Sequence, residues 1–96
     1  MAAKITCPEC RGPLHAERQD RITEYRCRVG HAYFPLALLQ DHNSALERAL
    51  WAAVLALEES AEIAKRLCTE KGNHAAALRL AQADGLRTML AELHSG

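Results

Sequence analysis

The stretches Cys7-Pro8-Glu9-Cys10 and Cys27-Arg28-Val29-Gly30-His31 decide how this chain folds. Each holds two potential metal ligands, at i and i+3 in the first and at i and i+4 in the second, with sixteen residues between the pairs. Three thiolates and one imidazole suit tetrahedral Zn²⁺, and a shell of four protein ligands is typical of a structural site. The spacing therefore predicts one structural zinc ion per chain, bound by Cys7, Cys10, Cys27 and His31.

Several alternatives to this zinc site remain open at this point. His15 competes with His31 as the fourth ligand, and His31 is favoured because it completes the second pair. The cysteines could be buried small hydrophobes, or Cys7 and Cys10 a redox couple. A redox pair usually opens a helix, however, and Pro8-Glu9 followed by Arg11-Gly12-Pro13 indicates a turn. The spacing does not distinguish zinc from iron.

The residues between the two pairs are typical of a β-hairpin. Segments 14–18 and 21–27 flank Gln19-Asp20, and Ile22 and Tyr25 favour extended backbone. A three-stranded ribbon of this size has almost no apolar core of its own. Structural zinc, which contributes about 10–16 kcal/mol in small modules, is expected to stabilise it.

After Pro35 the pattern changes to α-helix. Lys71-Gly72-Asn73 predicts the turn between two helices, with Gly72 as a left-handed terminator and Asn73 as the next N-cap. Each helix has apolar residues at three- and four-residue steps. The predicted stripes are Leu39, Leu46, Leu50, Ala53, Leu57, Ala64 and Leu67 in the first helix, and Leu78, Ala81, Gly85, Met89 and Leu93, with Leu86 and Leu90 beside them, in the second.

The predicted fold class is therefore α+β, a zinc ribbon over residues 1–34 followed by a long antiparallel helical hairpin over residues 35–96. Trp51, Val54 and Leu55 add apolar surface beside the first stripe, and one shorter helix cannot cover all of it. The hairpin is therefore also a predicted dimerisation region.

Composition restricts the possible functions. The chain is 49% hydrophobic with a formal net charge of zero, which does not favour nucleic acid binding. The longest apolar run, 49–57, is far shorter than the roughly 20 residues that span a bilayer. Residues 1–6 lack the apolar stretch of a secretory signal, so we expect a cytoplasmic protein. Clustered cysteines in that compartment are more often metal ligands than disulfides.

No catalytic motif is visible, so no enzyme and no catalytic residue are expected. The chain has no nucleophile elbow, phosphate-binding glycine loop or paired carboxylates. Cys68 is expected to be a core thiol, and His42, His74 and His94 to be solvated. The predicted function is a non-enzymatic protein–protein interaction module with structural zinc. The alternatives are a nucleic-acid-binding zinc ribbon and a thiol/zinc redox switch.

Three segments, 7–14, 25–33 and 45–53, resemble a known bacterial extension. It is the C-terminal region appended to some chemotaxis-type protein-glutamate methylesterases of two-component chemosensory systems. The resemblance covers most of residues 5–70, and it includes Tyr25-Arg26-Cys27-Arg28-Val29-Gly30-His31-Ala32-Tyr33. It implies the metal ribbon, the helical hairpin, and self-association or association with a bacterial signalling protein. The family's catalytic domain has no counterpart here, so methylesterase activity is not implied.

Overall fold

The computed structural model describes residues 2–95 and confirms the predicted α+β class. A four-stranded antiparallel sheet precedes two long helices. In chain order the elements are β1 (Ala2–Thr6), β2 (Pro13–Gln19), β3 (Ile22–Arg26), β4 (Ala32–Tyr33), α1 (Pro35–Lys65) and α2 (Glu70–Ser95).

The chain divides into two compact units, Met1–Leu46 and Glu47–Gly96. The first unit includes the beginning of α1 as well as the sheet. The assignment of residues 1–34 and 35–96 as separate domains stays a prediction.

The sheet has the strand order β1-β2-β3-β4, so each strand pairs with its neighbour in the chain. The predicted hairpin is confirmed as β2 and β3, which pair from His15↔Arg26 to Gln19↔Ile22. Asp20, in the turn, has a φ of 56°, a left-handed conformation that aspartate tolerates better than most residues. The short strands β1 and β4 extend the hairpin at its two edges.

The core of the first unit is small and includes part of α1. Leu14 and Tyr33 from the sheet are buried together with Leu38 of α1 and the thiols of Cys7 and Cys27. The helix is also attached by a polar contact, because His42 Nε2 donates to the carbonyl oxygen of Thr6 at 2.8 Å. This histidine was expected to be solvated, and the bond anchors it instead to the end of β1.

In the second unit α1 and α2 form an antiparallel hairpin. Its seam is built from Val54, Ala83 and Leu90, packed with Leu50, Leu57 and Leu86. Steps of three and four residues along both helices are typical of coiled-coil packing.

The predicted stripes are only partly correct. Val54, expected beside the stripe, is 1% exposed and lies in the seam. In α2 the seam uses Ala83, Leu86 and Leu90, whereas Leu78 and Met89 of the predicted stripe are both 49% exposed. The error arises because each helix has two adjacent apolar faces, and periodicity does not show which of them packs against the other helix.

The turn between the helices also differs from the prediction. The helix α1 ends at Lys65, Cys68 takes the left-handed conformation with a φ of 52°, and the Thr69 hydroxyl caps α2 by accepting from Gly72 N at 2.9 Å. Gly72 therefore lies inside α2 and terminates nothing. It is glycine because a Cβ there would lie 2.5 Å from the carbonyl oxygen of Ala64.

Candidate metal centre

The first pair of cysteines lies in a tight turn between β1 and β2. Arg11 N donates to Cys7 O at 2.9 Å, and Cys7 N donates to Gly12 O at 2.7 Å. These bonds fold the backbone around Pro8-Glu9, with Arg11 at a φ of 65°. This turn places Cys7 in the core and Cys10 at the surface.

The second pair lies in a similar turn between β3 and β4. Cys27 N donates to His31 O at 3.0 Å, and Gly30 N donates to Cys27 O at 3.2 Å. Gly30 has a φ of 107°, a conformation that side chains with a Cβ strongly disfavour. His31 N also donates to Cys27 Sγ at 3.3 Å, an orientation that stabilises a thiolate.

The β2–β3 hairpin brings these two turns together. One ligand atom from each of Cys7, Cys10, Cys27 and His31 lies within 4.8 Å of all the others. They are therefore close enough to hold a metal ion, and the four cysteines of the chain form no disulfide. The competing His15 lies on β2, paired with Arg26, and is outside this cluster. That the four residues ligate a metal stays a prediction.

The separations fit a tetrahedral ion. With Zn–S near 2.3 Å and Zn–N near 2.0–2.1 Å, a tetrahedron requires about 3.6 Å between a sulfur and a nitrogen ligand. Nδ1 of His31 lies 3.6 Å from Cys7 Sγ and 3.3 Å from Cys27 Sγ. The donor set is therefore preassembled, and three sulfurs with one nitrogen suit a tetrahedral zinc or iron ion.

Glu9 orients the histidine. Its Oε2 lies 2.9 Å from His31 Nε2, so Nε2–H donates to the carboxylate and Nδ1 points toward the sulfurs. Histidines that bind metals commonly donate their other ring N–H to a carboxylate, which fixes the tautomer. Sequence reasoning missed this role, and the only signal for it was the position of Glu9 between the first two candidate ligands.

Two of the thiols are tuned toward the ionised form. At Cys27, burial is the strongest single influence and favours the neutral thiol. Hydrogen bonds from the backbone N–H groups of His31, Val29 and Gly30, together with one from the Cys10 side chain, outweigh it and lower the pKa of Cys27 to about 6. Burial is likewise the strongest influence at Cys7, yet donors that include the backbone N–H of Cys10 lower its pKa as well.

The pKa of the third thiol, Cys10, is shifted in the opposite direction. The strongest influence on Cys10 is a bond from the backbone N–H of Gly12, which favours the thiolate. Burial and the nearby sulfurs of Cys27 and Cys7 together outweigh it and raise the pKa of Cys10. Three adjacent thiolates would repel one another, and a bound dication would relieve that repulsion.

Tyr33 closes the buried side of the cluster and was also missed. Its hydroxyl oxygen lies 3.7 Å from Cys7 Sγ, and burial, followed by that sulfur, raises the pKa of Tyr33. It therefore stays neutral and donates toward the sulfur. The sequence feature that could have identified Tyr33 is its position two residues after the candidate ligand His31; in the structure it lies on β4.

One other residue differs from its predicted role. Cys68 is exposed in the turn between the helices, not a core thiol. Arg26, next to Cys27, donates to Glu24 at 2.7 Å.

The fold and the cluster together define a small α+β module with a Cys₃His site. No protein-family model matches the sequence, and no curated protein or solved structure matches it either. The resemblance to the extension of chemotaxis methylesterases therefore stays a prediction. Within residues 2–95, neither helix combines the length and the hydrophobicity needed to cross a membrane.

Proposed function

We propose that this chain is a non-enzymatic protein–protein interaction module whose ribbon is stabilised by one zinc ion. The observation that carries the proposal is the convergence of three sulfurs and one imidazole nitrogen within 4.8 Å. These four donors fill a tetrahedral shell and leave no coordination position for a substrate or a reactive water.

The protein's own residues prepare the site for this structural role. The turn N–H groups favour thiolates at Cys7 and Cys27, and Glu9 holds the imidazole in the required orientation. When bound, zinc supplies a fixed crosslink between the two turns. Because the core of the ribbon consists of a few side chains, two of which are ligands, this crosslink would set its stability.

We infer a function in protein–protein association because much apolar surface is left uncovered in the isolated chain. Among the described residues, Trp51, Leu55 and Ile63 of the hairpin are 48%, 59% and 66% exposed. Single exposed apolar residues are ordinary, but a long hairpin that carries many of them is typical of a surface used in association. The proposed partner is a second copy or, on the resemblance, a bacterial signalling protein in the cytoplasm.

The deciding experiment combines metal analysis with native mass spectrometry on the full chain and on two histidine variants. We expect one zinc per wild-type chain, loss of most zinc in His31→Ala, and wild-type zinc content in His15→Ala. The second variant removes a histidine from the same ribbon, so it is the matched control. Wild-type protein without a transition metal, or equal zinc loss in both variants, would contradict the proposal.

A further inference from the structure

The helix α1 belongs to both compact units. Its first part, residues 35–46, lies in the unit with the sheet, and the remainder lies in the unit with α2. The cores of the two units are formed by different residues. Leu38 is buried in the core of the first unit, whereas Val54 lies in the seam with α2. Because most helical stability in proteins comes from tertiary packing, the two parts of α1 depend on two separate sets of contacts.

The first part of α1 is intrinsically weakest at its end. Asp41-His42-Asn43-Ser44 are four consecutive residues of low helix propensity. Aspartate, asparagine and serine side chains compete for the backbone in non-helical conformations. In α1 the Ser44 hydroxyl donates to the carbonyl oxygen of Gln40 at 3.2 Å, a type of bond that slightly destabilises a helix. This segment therefore needs contacts from outside the helix to stay helical.

The sheet supplies those contacts. Leu38 is 5% exposed and packs in one core with Leu14 and Tyr33, and His42 Nε2 donates to the carbonyl oxygen of Thr6 at 2.8 Å. The same core contains the thiols of two candidate metal ligands. If the metal is lost and the sheet unfolds, the first part of α1 loses both its apolar and its polar attachment.

A second helix start is encoded inside α1. The sequence Ser44-Ala45-Leu46-Glu47 has the Ser-Xaa-Xaa-Glu pattern of a capping box. In that motif the serine side chain accepts from the backbone N–H of the glutamate, and the glutamate side chain accepts from the backbone N–H of the serine. The glutamate charge is also favourable in a first helical turn. In the full-length helix Ser44 bonds to Gln40 instead. Glu47 is the first residue of the second unit, so the motif lies where the contacts of the sheet end.

We propose that α1 has two alternative starts, Pro35 when the metal centre is filled and Ser44 when the metal is lost. Metal loss unfolds the sheet and releases residues 35–43, while Ser44 caps a hairpin that stays folded on its own seam. The change shortens α1 by about three turns. This inference rests on the proposed function and adds to it control of the helix start by the metal.

The test is hydrogen–deuterium exchange of the full chain, zinc-loaded and after chelation, with zinc content measured in both samples. Chelation should reduce the protection of amides 38–44 by about tenfold or more, together with that of the sheet, and leave amides 54–64 and 76–92 protected. Amides 38–44 that stay protected without zinc would overturn the proposal. Loss of protection throughout α1 would also overturn it, because the hairpin would then depend on the ribbon.

Ser44→Ala gives a second readout, because its effect should have opposite signs in the two states. In the zinc-loaded chain it replaces a residue in a helix interior by a better helix former, so it should raise the thermal midpoint of the first unit. In the chelated chain it removes the cap and should favour unfolding of the hairpin by about fivefold. Ser60→Ala is the matched control, since Ser60 is an exposed serine of α1 in the second unit and its replacement should stabilise the hairpin in both states. Effects of the same sign for Ser44→Ala would contradict the second start.

Leu14→Asp separates this proposal from the one on which it rests. Leu14 is 0% exposed in the core of the first unit and is not a candidate ligand, so the variant should unfold the sheet whether or not zinc is present. Protection that begins after Ser44 in this variant supports the second start, and protection of amides 38–44 overturns it. Wild-type protein that binds no zinc refutes the metal module and metal control, whereas zinc-loaded protein whose exchange does not respond to chelation refutes the two starts alone.

Discussion

Removal of the Glu9 carboxylate should weaken metal binding by about tenfold, or ~1.4 kcal/mol. Glu9 Oε2 accepts from His31 Nε2 at 2.9 Å and so keeps Nδ1 directed at the sulfurs. Loss of such a carboxylate partner typically lowers metal affinity by about 10–100-fold. The Glu9 side chain is 58% exposed, so water can replace part of its contribution, and the low end of that range applies.

The measurement is a competition titration against a chromogenic zinc chelator at neutral pH. Glu9→Ala removes the acceptor and should show the full effect. Glu9→Gln keeps a neutral acceptor, so its loss of affinity should be intermediate. Glu17→Ala is the matched control, because it removes an exposed carboxylate from β2 of the same sheet and should bind zinc like the wild type.

Two outcomes would refute this reasoning. Wild-type affinity in Glu9→Ala would mean that the turn backbone alone orients His31. Equal weakening in Glu17→Ala would mean that the effect is one of total charge and not of the short contact to Nε2.

Three further predictions concern other parts of the chain. Cys10→Ser should abolish stoichiometric zinc binding while Cys68→Ser, outside the cluster, retains it; metal analysis of both variants decides. Gly72→Ala should destabilise the hairpin by about 1–3 kcal/mol because its Cβ overlaps a backbone carbonyl, and an unchanged urea midpoint would show that the helices separate freely. Arg87→Ala should lower the stability only slightly, because water competes for its ion pair with Glu58, whose two side chains are 42% and 40% exposed. A large fall in the thermal unfolding midpoint would contradict this.

The sequence was sufficient to predict that the four candidate ligands lie close together, because ligand spacing is a local property. Two ligands three or four residues apart must lie in one turn, and a hairpin between them brings the turns together. Cys7, Cys10, Cys27 and His31 meet in this way. The contribution of Glu9 was harder to see, because it depends on which ring nitrogen of His31 faces the sulfurs.

The helical hairpin was predicted less well in its details. The existence of both helices followed from composition and from three- and four-residue steps, yet the end of α1 and the cap at Thr69 were missed. Gly72 was read as a terminator because glycine at a helix end is common. A glycine is needed at this position because the carbonyl oxygen of Ala64 lies too close for a Cβ. The two residues belong to different helices.

Residue spacing and the positions of glycine and proline thus determined the α+β class, the β2–β3 hairpin and the four candidate ligands, because each of these depends on near neighbours in the chain. The packing of α1 against α2 determined which apolar face was buried. As a result, Val54 and Leu90 are buried in the seam, whereas Leu78 and Met89 are exposed. Both faces have the same periodicity, so only the position of the opposing helix can distinguish them.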